Sequence, residues 1–109
     1  MSTPLLDTAA LEKVLDEFAD ARDWRQFHSP KNLAMALTGE VGVLVEIFQW
    51  RSEEESWLVA RAPETAEHVR QELADVALYL VRLASVLGVD LNAAIEDKLV
   101  LNARKYPPL

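Results

Sequence analysis

The spacing of apolar residues constrains the fold of this chain more than any other feature of its sequence. Leucine, isoleucine, valine and phenylalanine recur at steps of three and four residues, which places them on one face of a helix. The sequence contains no strand-like alternation, internal repeat or low-complexity tract. This periodicity predicts an all-α fold, a bundle of four main helices that forms one domain over residues 1–109, with 1–6 and 107–109 as loose ends.

Capping residues and helix breakers predict where the helices begin and end. The predicted helices run from an N-cap at Asp7 to about Arg22, from Pro30 to near Trp50, from a Ser52–Glu55 capping box through Leu58, from Pro63 to Gly88, and from an Asp90 cap to about Ala103. The segment from Asp23 to Pro30 is predicted to be an aromatic-rich loop. Gly39 and Gly42 each lower helix propensity by ~1 kcal/mol, which indicates close packing or a ligand beside them.

Charge and composition exclude several classes of function. Eleven Lys and Arg against eighteen Asp and Glu leave a net charge of −7, which repels a nucleic-acid backbone, so a nucleic-acid polymer is not an expected partner. Cysteine is absent, which excludes disulfides, thiolate metal sites and cysteine nucleophiles. No stretch approaches the ~20 apolar residues that span a bilayer, and the N-terminus lacks the features of a signal peptide. We therefore expect a cytoplasmic protein without a membrane partner.

Three acidic residues lie on the apolar stripes of two predicted helices. Glu40 is in register with leucines of the second main helix, and Glu72 and Asp75 share a side of the third. A buried carboxylate without a partner costs several kcal/mol, so each acid needs one. Ion pairing with Lys98, Arg70 or Arg104, or exposure at the edge of the stripe, would meet this need. Clustered acidic oxygens also suit Mg²⁺ or Mn²⁺, and the residues alone leave these alternatives open.

Four motifs, in this order, resemble those of the MazG-like nucleotide pyrophosphohydrolases, and most closely those of the dCTP pyrophosphatase branch. They are Phe27–Leu33, Gly39–Gly42 with Glu46–Trp50, Glu72–Val76 with Tyr79 and Leu80, and Lys98 with Asn102 and Tyr106–Pro107. The similarity extends from about Phe18 to Pro107, nearly the whole chain.

The resemblance implies an enzyme of the nucleotide pool. Such a protein is an all-α homodimer or dimer of dimers that cleaves a nucleoside triphosphate between its α and β phosphates, giving a monophosphate and pyrophosphate. It implies a pyrimidine substrate similar to dCTP and a house-cleaning role. The family pattern is Glu-x-x-Glu on one helix and Glu-x-x-Asp on another, which together hold Mg²⁺; Mn²⁺ is an alternative. Glu40, Glu72 and Asp75 match three of these positions, and Glu40 is our candidate to deprotonate the attacking water.

Val43 departs from the family pattern, because it occupies the remaining metal-ligand position. Valine has no donor atom and cannot bind a metal. Glu46 lies about 240° around the helix from Glu40, so it is not expected to compensate. A single cation held by three carboxylates with water and phosphate oxygens is compatible with this change. The alternative is a nucleotide-binding or interaction module in which Val43 weakens or abolishes turnover.

The resemblance also implies residues for the phosphates and the base. Lys98 and Asn102 share a helix face and are expected to contact phosphates, with Arg104 or Lys105 assisting. The expected base-binding residues are Trp24, His28, Trp50, Tyr79 and Tyr106. Aromatic stacking contributes ~1–3 kcal/mol per base with little discrimination between bases. Each of these residues also has a plain structural interpretation, as a solvated charge or as a ring that fills a gap between helices.

Two further hypotheses concern a different chemistry and self-association. His68 on the third main helix permits a histidine phosphotransfer domain, but its acidic neighbours Glu64, Glu67 and Glu72 disfavour a phosphohistidine. Many apolar positions on four thin helices predict an oligomer. Val41, Val45 and Phe48 lie away from the Glu40 stripe and are the candidate seam.

Overall fold

The computed structural model describes residues 3–109, and this part of the chain contains α-helices and a short 3₁₀ helix but no strand. The elements are α1 (Ala9–Ala21), a 3₁₀ helix (Arg25–Phe27), α2 (Pro30–Phe48), α3 (Glu53–Ser56), α4 (Ala66–Leu87) and α5 (Leu91–Lys105). The predicted all-α class is confirmed, and the four main helices are α1, α2, α4 and α5.

Local capping signals place most helix ends as predicted. The Ser29 hydroxyl accepts a hydrogen bond from the Asn32 amide at 3.1 Å, with Pro30 at the first position of α2. Both bonds of the Ser52–Glu55 capping box form, at 2.8 and 3.1 Å. The Asp90 carboxylate caps α5 by accepting a hydrogen bond from the Ala93 amide at 3.0 Å. These ends are predictable because each cap is made by residues within one turn of the helix.

The start of α4 corrects a prediction, since the helix begins at Ala66 and not at Pro63. The buried Thr65 hydroxyl donates to the Val59 carbonyl at 2.6 Å. This bond across six residues keeps the chain in turns until Thr65, which a proline signal does not reveal. The other boundary differences are small: α1 has its N-cap at Thr8, α2 ends at Phe48, α3 ends at Ser56 and α5 continues to Lys105.

The core lies where α2 and α1 pack against α4. Ile47 of α2, Val59 of the following turns and Val69 of α4 form a buried cluster, and Leu44 and Phe48 pack against it. Phe48 therefore lies partly inside, whereas Val41 and Val45 of the predicted seam are exposed. The α2–α4 contact also brings the polar residues of these two helices together.

Part of the apolar surface of α4 is exposed. Leu73, Leu80 and Leu87 are each more than two-fifths exposed, and the buried residues of α4 are Val69, Val81, Arg82 and Ala84. The close packing expected at Gly39 and Gly42 is also absent, since a Cβ built at either glycine meets no described atom within 4 Å. The chain by itself leaves these apolar surfaces without cover.

Helix α5 turns away from the rest of the chain. Its axis makes an angle of 102° with α4, and it packs along none of the other described helices. The radius of gyration is 16.8 Å, whereas a compact chain of 100 residues has about 13 Å. Within residues 3–109, each helix alone is too short or too polar to cross a membrane, although the bent α4–α5 pair passes a test of length and composition.

The predicted loose ends of the chain can be compared with the structure over residues 3–6 and 107–109. Residues 1 and 2 of the expected loose N-terminus lie outside the described residues. Residues 3–6 form no regular structure, but the Leu6 amide donates to Asn92 of α5 at 2.9 Å. Residues 107–109 are exposed and irregular.

Candidate active site

Three carboxylates from α2 and α4 meet at one point. Glu72 and Asp75 lie one turn apart on α4, and the packing of α2 against α4 brings Glu40 to them. One oxygen of each lies within 4.8 Å of the others, and all three residues are half-buried. The structure thus brings together the acidic residues that the sequence places on facing stripes.

This carboxylate cluster fits a hard divalent cation. The Glu72 side chain is 13% exposed, and its Oε2 atom is buried with no hydrogen-bond partner among the described residues. Within residues 3–109 no Lys or Arg forms an ion pair with any of the three acids, and His68 Nε2 lies 3.7 Å from Glu72 Oε1. An orphaned buried carboxylate oxygen beside two further carboxylates is the donor set that Mg²⁺ and Mn²⁺ prefer.

The neighbouring Glu72 carboxylate changes the protonation of Glu40. Its pKa is raised, mainly because a protonated Glu40 shares its hydrogen with Glu72, and further because of burial and the Glu72 charge. The cluster therefore holds its negative charge at a cost that a bound cation would remove.

Val43 lies on α2 three residues beyond Glu40 and is half-buried. It adds no donor atom to the cluster. Glu46 is exposed and is not part of the cluster, in agreement with its helical spacing from Glu40. Three carboxylates, and not four, make up the donor set.

An aromatic pocket of about 160 Å³ adjoins the cluster. Its lining residues are Leu15, Phe18, Trp24, His28, Asp75, Leu78, Tyr79 and Arg82. Asp75 belongs to both the pocket and the carboxylate cluster. With a cation held by the cluster, a ligand that carries an anionic group and a flat ring can place the first beside the cation and the second in the pocket.

The end of α1 fixes the aromatic wall of this pocket. Asp23 takes a left-handed conformation (φ 57°), and the amides of Asp23 and Trp24 donate to the carbonyls of Asp20 and Ala19. This pattern is a Schellman motif, which reverses the chain directly after the helix. It places Trp24 edge-on against Phe18, with ring centroids 5.6 Å apart.

A buried arginine supports the pocket from α4. Arg82 Nε donates to His28 Nδ1 at 3.0 Å, and its Nη1 donates to Asp16 at 3.2 Å. Burial and the Arg82 charge lower the pKa of His28. Neither Arg82 nor Asp16 was predicted from the sequence to belong to the site. Helical spacing does place Arg82 on the stripe of Asp75 and Tyr79, seven and three residues earlier, and a charge on that stripe is the signal that was missed.

The other predicted ligand-binding residues lie elsewhere in the chain. Trp50 is 89% exposed and Tyr106 is 67% exposed, and neither lines the pocket. No hydrogen bond or ion pair within residues 3–109 joins the predicted phosphate-binding residues to the cluster: Lys98, Asn102, Arg104 and Lys105. All four lie on α5, which turns away from the other helices. Of the predicted base-binding residues, Trp24, His28 and Tyr79 meet at the pocket.

An all-helical protein with a carboxylate cluster beside an aromatic pocket is the class that this fold and site define. The model of the MazG-like family matches residues 39–108, which contain all three carboxylates. The chain belongs to the MazG-like family.

Named relatives agree with this assignment. The chain is 44% identical to dCTP pyrophosphatase 1 of Bos taurus over 106 residues, which are 97% of this chain and 62% of the relative. It is 47% identical to dCTP pyrophosphatase 1 of Homo sapiens over 91 residues, 84% of this chain and 54% of that protein. The chain thus spans less than two-thirds of the length of these curated relatives. A solved pyrophosphatase from Archaeoglobus fulgidus has a TM-score of 0.85 and 38% identity, covering 99% of both chains.

Proposed function

We propose that this protein is a divalent-metal-dependent nucleoside triphosphate pyrophosphohydrolase that acts on a pyrimidine substrate similar to dCTP in the cytoplasmic nucleotide pool. The observation that carries the proposal is the position of Asp75, which borders both the carboxylate cluster and the aromatic pocket. The names of the relatives, dCTP pyrophosphatase 1 and a pyrophosphatase, support the reaction. The products are a nucleoside monophosphate and pyrophosphate.

The cluster residues perform the phosphoryl chemistry in this proposal. Glu40, Glu72 and Asp75 would hold Mg²⁺ or Mn²⁺, which supplies charge neutralisation to the phosphates and acidifies a water molecule. Water attacks the α-phosphorus, the bond from that phosphorus to the bridging oxygen breaks, and pyrophosphate leaves. Glu40 accepts the proton of the water. Because phosphoryl transfer needs mainly positioning and charge stabilisation, carboxylates held by two packed helices are sufficient machinery.

The pocket orients the base. Trp24 and Tyr79 offer ring faces for stacking, worth ~1–3 kcal/mol per base, and His28 adds a polar group at the same pocket. We keep Lys98, Asn102, Arg104 and Lys105 as candidate phosphate-binding residues, and Trp50 and Tyr106 as candidate base contacts.

A panel of deoxynucleoside and ribonucleoside triphosphates tests the proposal. Each is incubated with Mg²⁺, Mn²⁺ or EDTA, and the products are resolved by chromatography. We expect monophosphate and pyrophosphate from dCTP with either metal and none with EDTA. In isotope-labelled water the heavy oxygen should enter the monophosphate, because the attack is at the α-phosphorus. Orthophosphate as the product, or undiminished turnover in EDTA, would contradict the proposal.

Single substitutions test the roles of the carboxylates. Glu40→Gln, Glu72→Gln and Asp75→Asn are each expected to lower turnover by ~10²–10³, since each removes one electrostatic group from the site. The matched control is Glu46→Gln, which removes an exposed charge from the same helix as Glu40. It should leave both turnover and metal affinity unchanged.

The second candidate function is a nucleotide-binding module without turnover, and Val43 is the observation that favours it. Calorimetry of dCTP binding with Ca²⁺ as an inert metal, alongside the product assay with Mg²⁺, separates the two. Tight binding without products supports the module. Binding accompanied by products supports the enzyme.

We also propose that the protein is a homodimer or a dimer of dimers. The exposed leucines of α4, the exposed Val41 and Val45, and the unpacked α5 support this assembly. A second copy would cover these surfaces and give α5 a partner against which to pack.

A further inference from the structure

The buried Arg82 of α4 is the starting point. Its side chain is 7% exposed, and two of its nitrogens are engaged: Nε with His28 Nδ1 and Nη1 with Asp16. A buried charge needs compensation by a partner of opposite sign, yet one of the Arg82 donors pairs with an imidazole ring and not with a carboxylate. The carboxylate cluster and the phosphoryl chemistry do not use this contact.

The chemistry of the two partners determines where the proton of His28 lies. A guanidinium group has only donors, so a ring nitrogen that pairs with it must offer a lone pair. His28 Nδ1 is therefore unprotonated, and the single proton of the neutral imidazole lies on Nε2. The doubly protonated ring has no lone pair and is excluded while the contact holds. The lowered pKa of His28 agrees with this arrangement.

Asp16 of α1 holds Arg82 in place. One Asp16 oxygen accepts from Arg82 at 3.2 Å and the other accepts from Arg25 at 2.7 Å, while Arg25 also pairs with Asp20 at 3.1 Å. The buried positive charge is thus compensated, and the guanidinium plane is fixed by bonds at two different nitrogens. The orientation of Arg82 toward His28 therefore depends on the packing of α1 against α4.

His28 lines the aromatic pocket, and among the described residues no group pairs with its Nε2 atom. We propose that Arg82 is a positioning residue that fixes His28 as an Nε2–H donor, so that the pocket selects a base whose N3 atom is a hydrogen-bond acceptor, as it is in cytosine. Thymine and uracil carry a hydrogen on N3, which meets the Nε2–H as one donor against another. The inference rests on the proposed function for its ligand class.

The protonation half of the inference is measured without any substrate. The chain has two histidines, so the imidazole nitrogens give two sets of NMR signals, and the exposed His68 is an internal reference. We expect one ring, assigned to His28 by its loss in His28→Gln, to show an unprotonated Nδ1 and a protonated Nε2. In Arg82→Met the ring should become a mixture of tautomers. Arg82→Lys should retain the tautomer, because Lys also only donates.

The matched control is Arg25→Met. It removes a positive charge from the same Asp16 carboxylate, and the only hydrogen bond between residue 25 and His28 among the described residues is a backbone one that the substitution leaves in place. It should leave the tautomer as it is in the unaltered protein. If the His28 tautomer also changes in Arg25→Met, the cause is the charge of the Asp16 network. That result would overturn the role given to Arg82.

The base-selection half is measured by binding of dCMP and dTMP, which does not require turnover. We expect the preference for dCMP to fall about tenfold in Arg82→Met and to be retained in Arg82→Lys and Arg25→Met, since one hydrogen bond is worth about a factor of ten. If Arg82→Met does not fold, His28→Phe removes the Nε2–H donor and keeps a ring; it should lower the preference for dCMP by the same factor, and an unchanged preference would overturn the inference.

The outcomes separate this inference from the proposed function. If dCMP preference and the tautomer change together but dCTP is not hydrolysed, the inference stands and the proposed activity fails. If dCTP is hydrolysed while Arg82→Met keeps both the tautomer and the preference, the inference is overturned. A protonated Nδ1 in the unaltered protein overturns it directly.

Discussion

The three residues of the carboxylate cluster affect the stability of the folded protein as well as its proposed chemistry. Glu40, Glu72 and Asp75 lie close enough to repel one another, and the orphaned Oε2 of Glu72 has lost its water without gaining a partner. Such an arrangement lowers stability in the absence of a cation. The cost is visible in the raised pKa of Glu40.

The raised pKa of Glu40 predicts how the stability of the folded protein depends on pH. Because the pKa of Glu40 is raised above 4.5 in the folded state, the folded protein binds the proton more tightly than the unfolded chain does. The stabilisation is fully present below the unfolded value and is lost as pH rises through the folded pKa. In EDTA, we expect the unfolding free energy contributed by this group to fall with rising pH, and Glu40→Gln to remove that part of the dependence. Urea titrations between about pH 4 and pH 8 measure it, with Glu46→Gln as the control.

Saturating Mg²⁺ is expected to reverse the effect at neutral pH. A ligand that binds only the folded state adds stability, by ~2.7 kcal/mol at a concentration of one hundred times its dissociation constant. Thermal unfolding with and without Mg²⁺ measures this shift. The shift should disappear in Glu72→Gln, and its persistence there would place the cation elsewhere.

Val43→Glu is predicted to raise turnover and metal affinity. The new carboxylate adds a fourth donor one turn from Glu40, and restoring one electrostatic group is worth ~10²–10³ in rate where the site uses it. The matched control is Val43→Gln, which has the same shape without the charge. Product assays and metal calorimetry on both variants provide the measurement. Equal behaviour of the two would show that position 43 does not face the cation.

Among the helices, two end in the same way with different residues. Helix α4 ends at Gly88 with φ 69°, and α1 ends before Asp23 with φ 57°. In both, the amide of the left-handed residue and the amide of the residue after it donate to carbonyls in the last turn of the helix. Glycine adopts this conformation without strain, whereas an L-residue with a side chain does not.

Gly88→Ala is therefore predicted to destabilise the fold by ~1 kcal/mol. The cost comes from the backbone alone, because an added Cβ meets no described atom within 4 Å. Asp23→Gly is the reciprocal variant and should be neutral or stabilising. Urea denaturation of both measures the difference, and destabilisation by Asp23→Gly would show that the Asp23 side chain, which bonds Gln26, contributes more than its strain removes.

The helix ends also show what local sequence can predict. Ser29, Ser52 and Asp90 cap their helices through residues within one turn, so the sequence is sufficient at these places. The start of α4 depends on the Thr65–Val59 bond inside a packed turn. This bond forms only after the segment has folded back on itself, so Pro63 alone does not indicate where α4 begins.

For the molecule as a whole, the extended shape is the dominant feature. The radius of gyration of 16.8 Å and the unpacked α5 leave large apolar side chains in solvent, including Leu99, Val100 and Leu101. Monomeric proteins rarely expose large contiguous apolar patches. The surface is consistent with assembly.

Light scattering after size exclusion is expected to give a mass of at least twice that of one chain. Leu101→Asp on α5 should weaken the assembly, because a charge is costly to bury in an apolar interface. The comparison variant Lys105→Glu changes a charge near the end of the same helix. A monomer at high concentration, with retained helicity, would show that the exposed surface has another role.

The candidate site was predictable to the extent that helical spacing determines it. Glu40, Glu72 and Asp75 lie on stripes that must face each other once α2 packs on α4, so their meeting follows from the sequence pattern. The Arg82–Asp16 bond joins residues 66 apart across α1 and α4, and no periodicity within one helix encodes it. The orientation of α5 was not predictable either, since it makes few contacts within its own chain.

In the proposed function, the shared position of Asp75 links the choice of metal ion to the choice of base. A carboxylate that borders both compartments cannot shift to suit a larger ion without moving one wall of the ring-binding cavity. Exchanging Mg²⁺ for Mn²⁺ should consequently alter the ratio of rates on competing nucleotides as well as the rates themselves, so fidelity in this protein becomes partly a property of the metal supply.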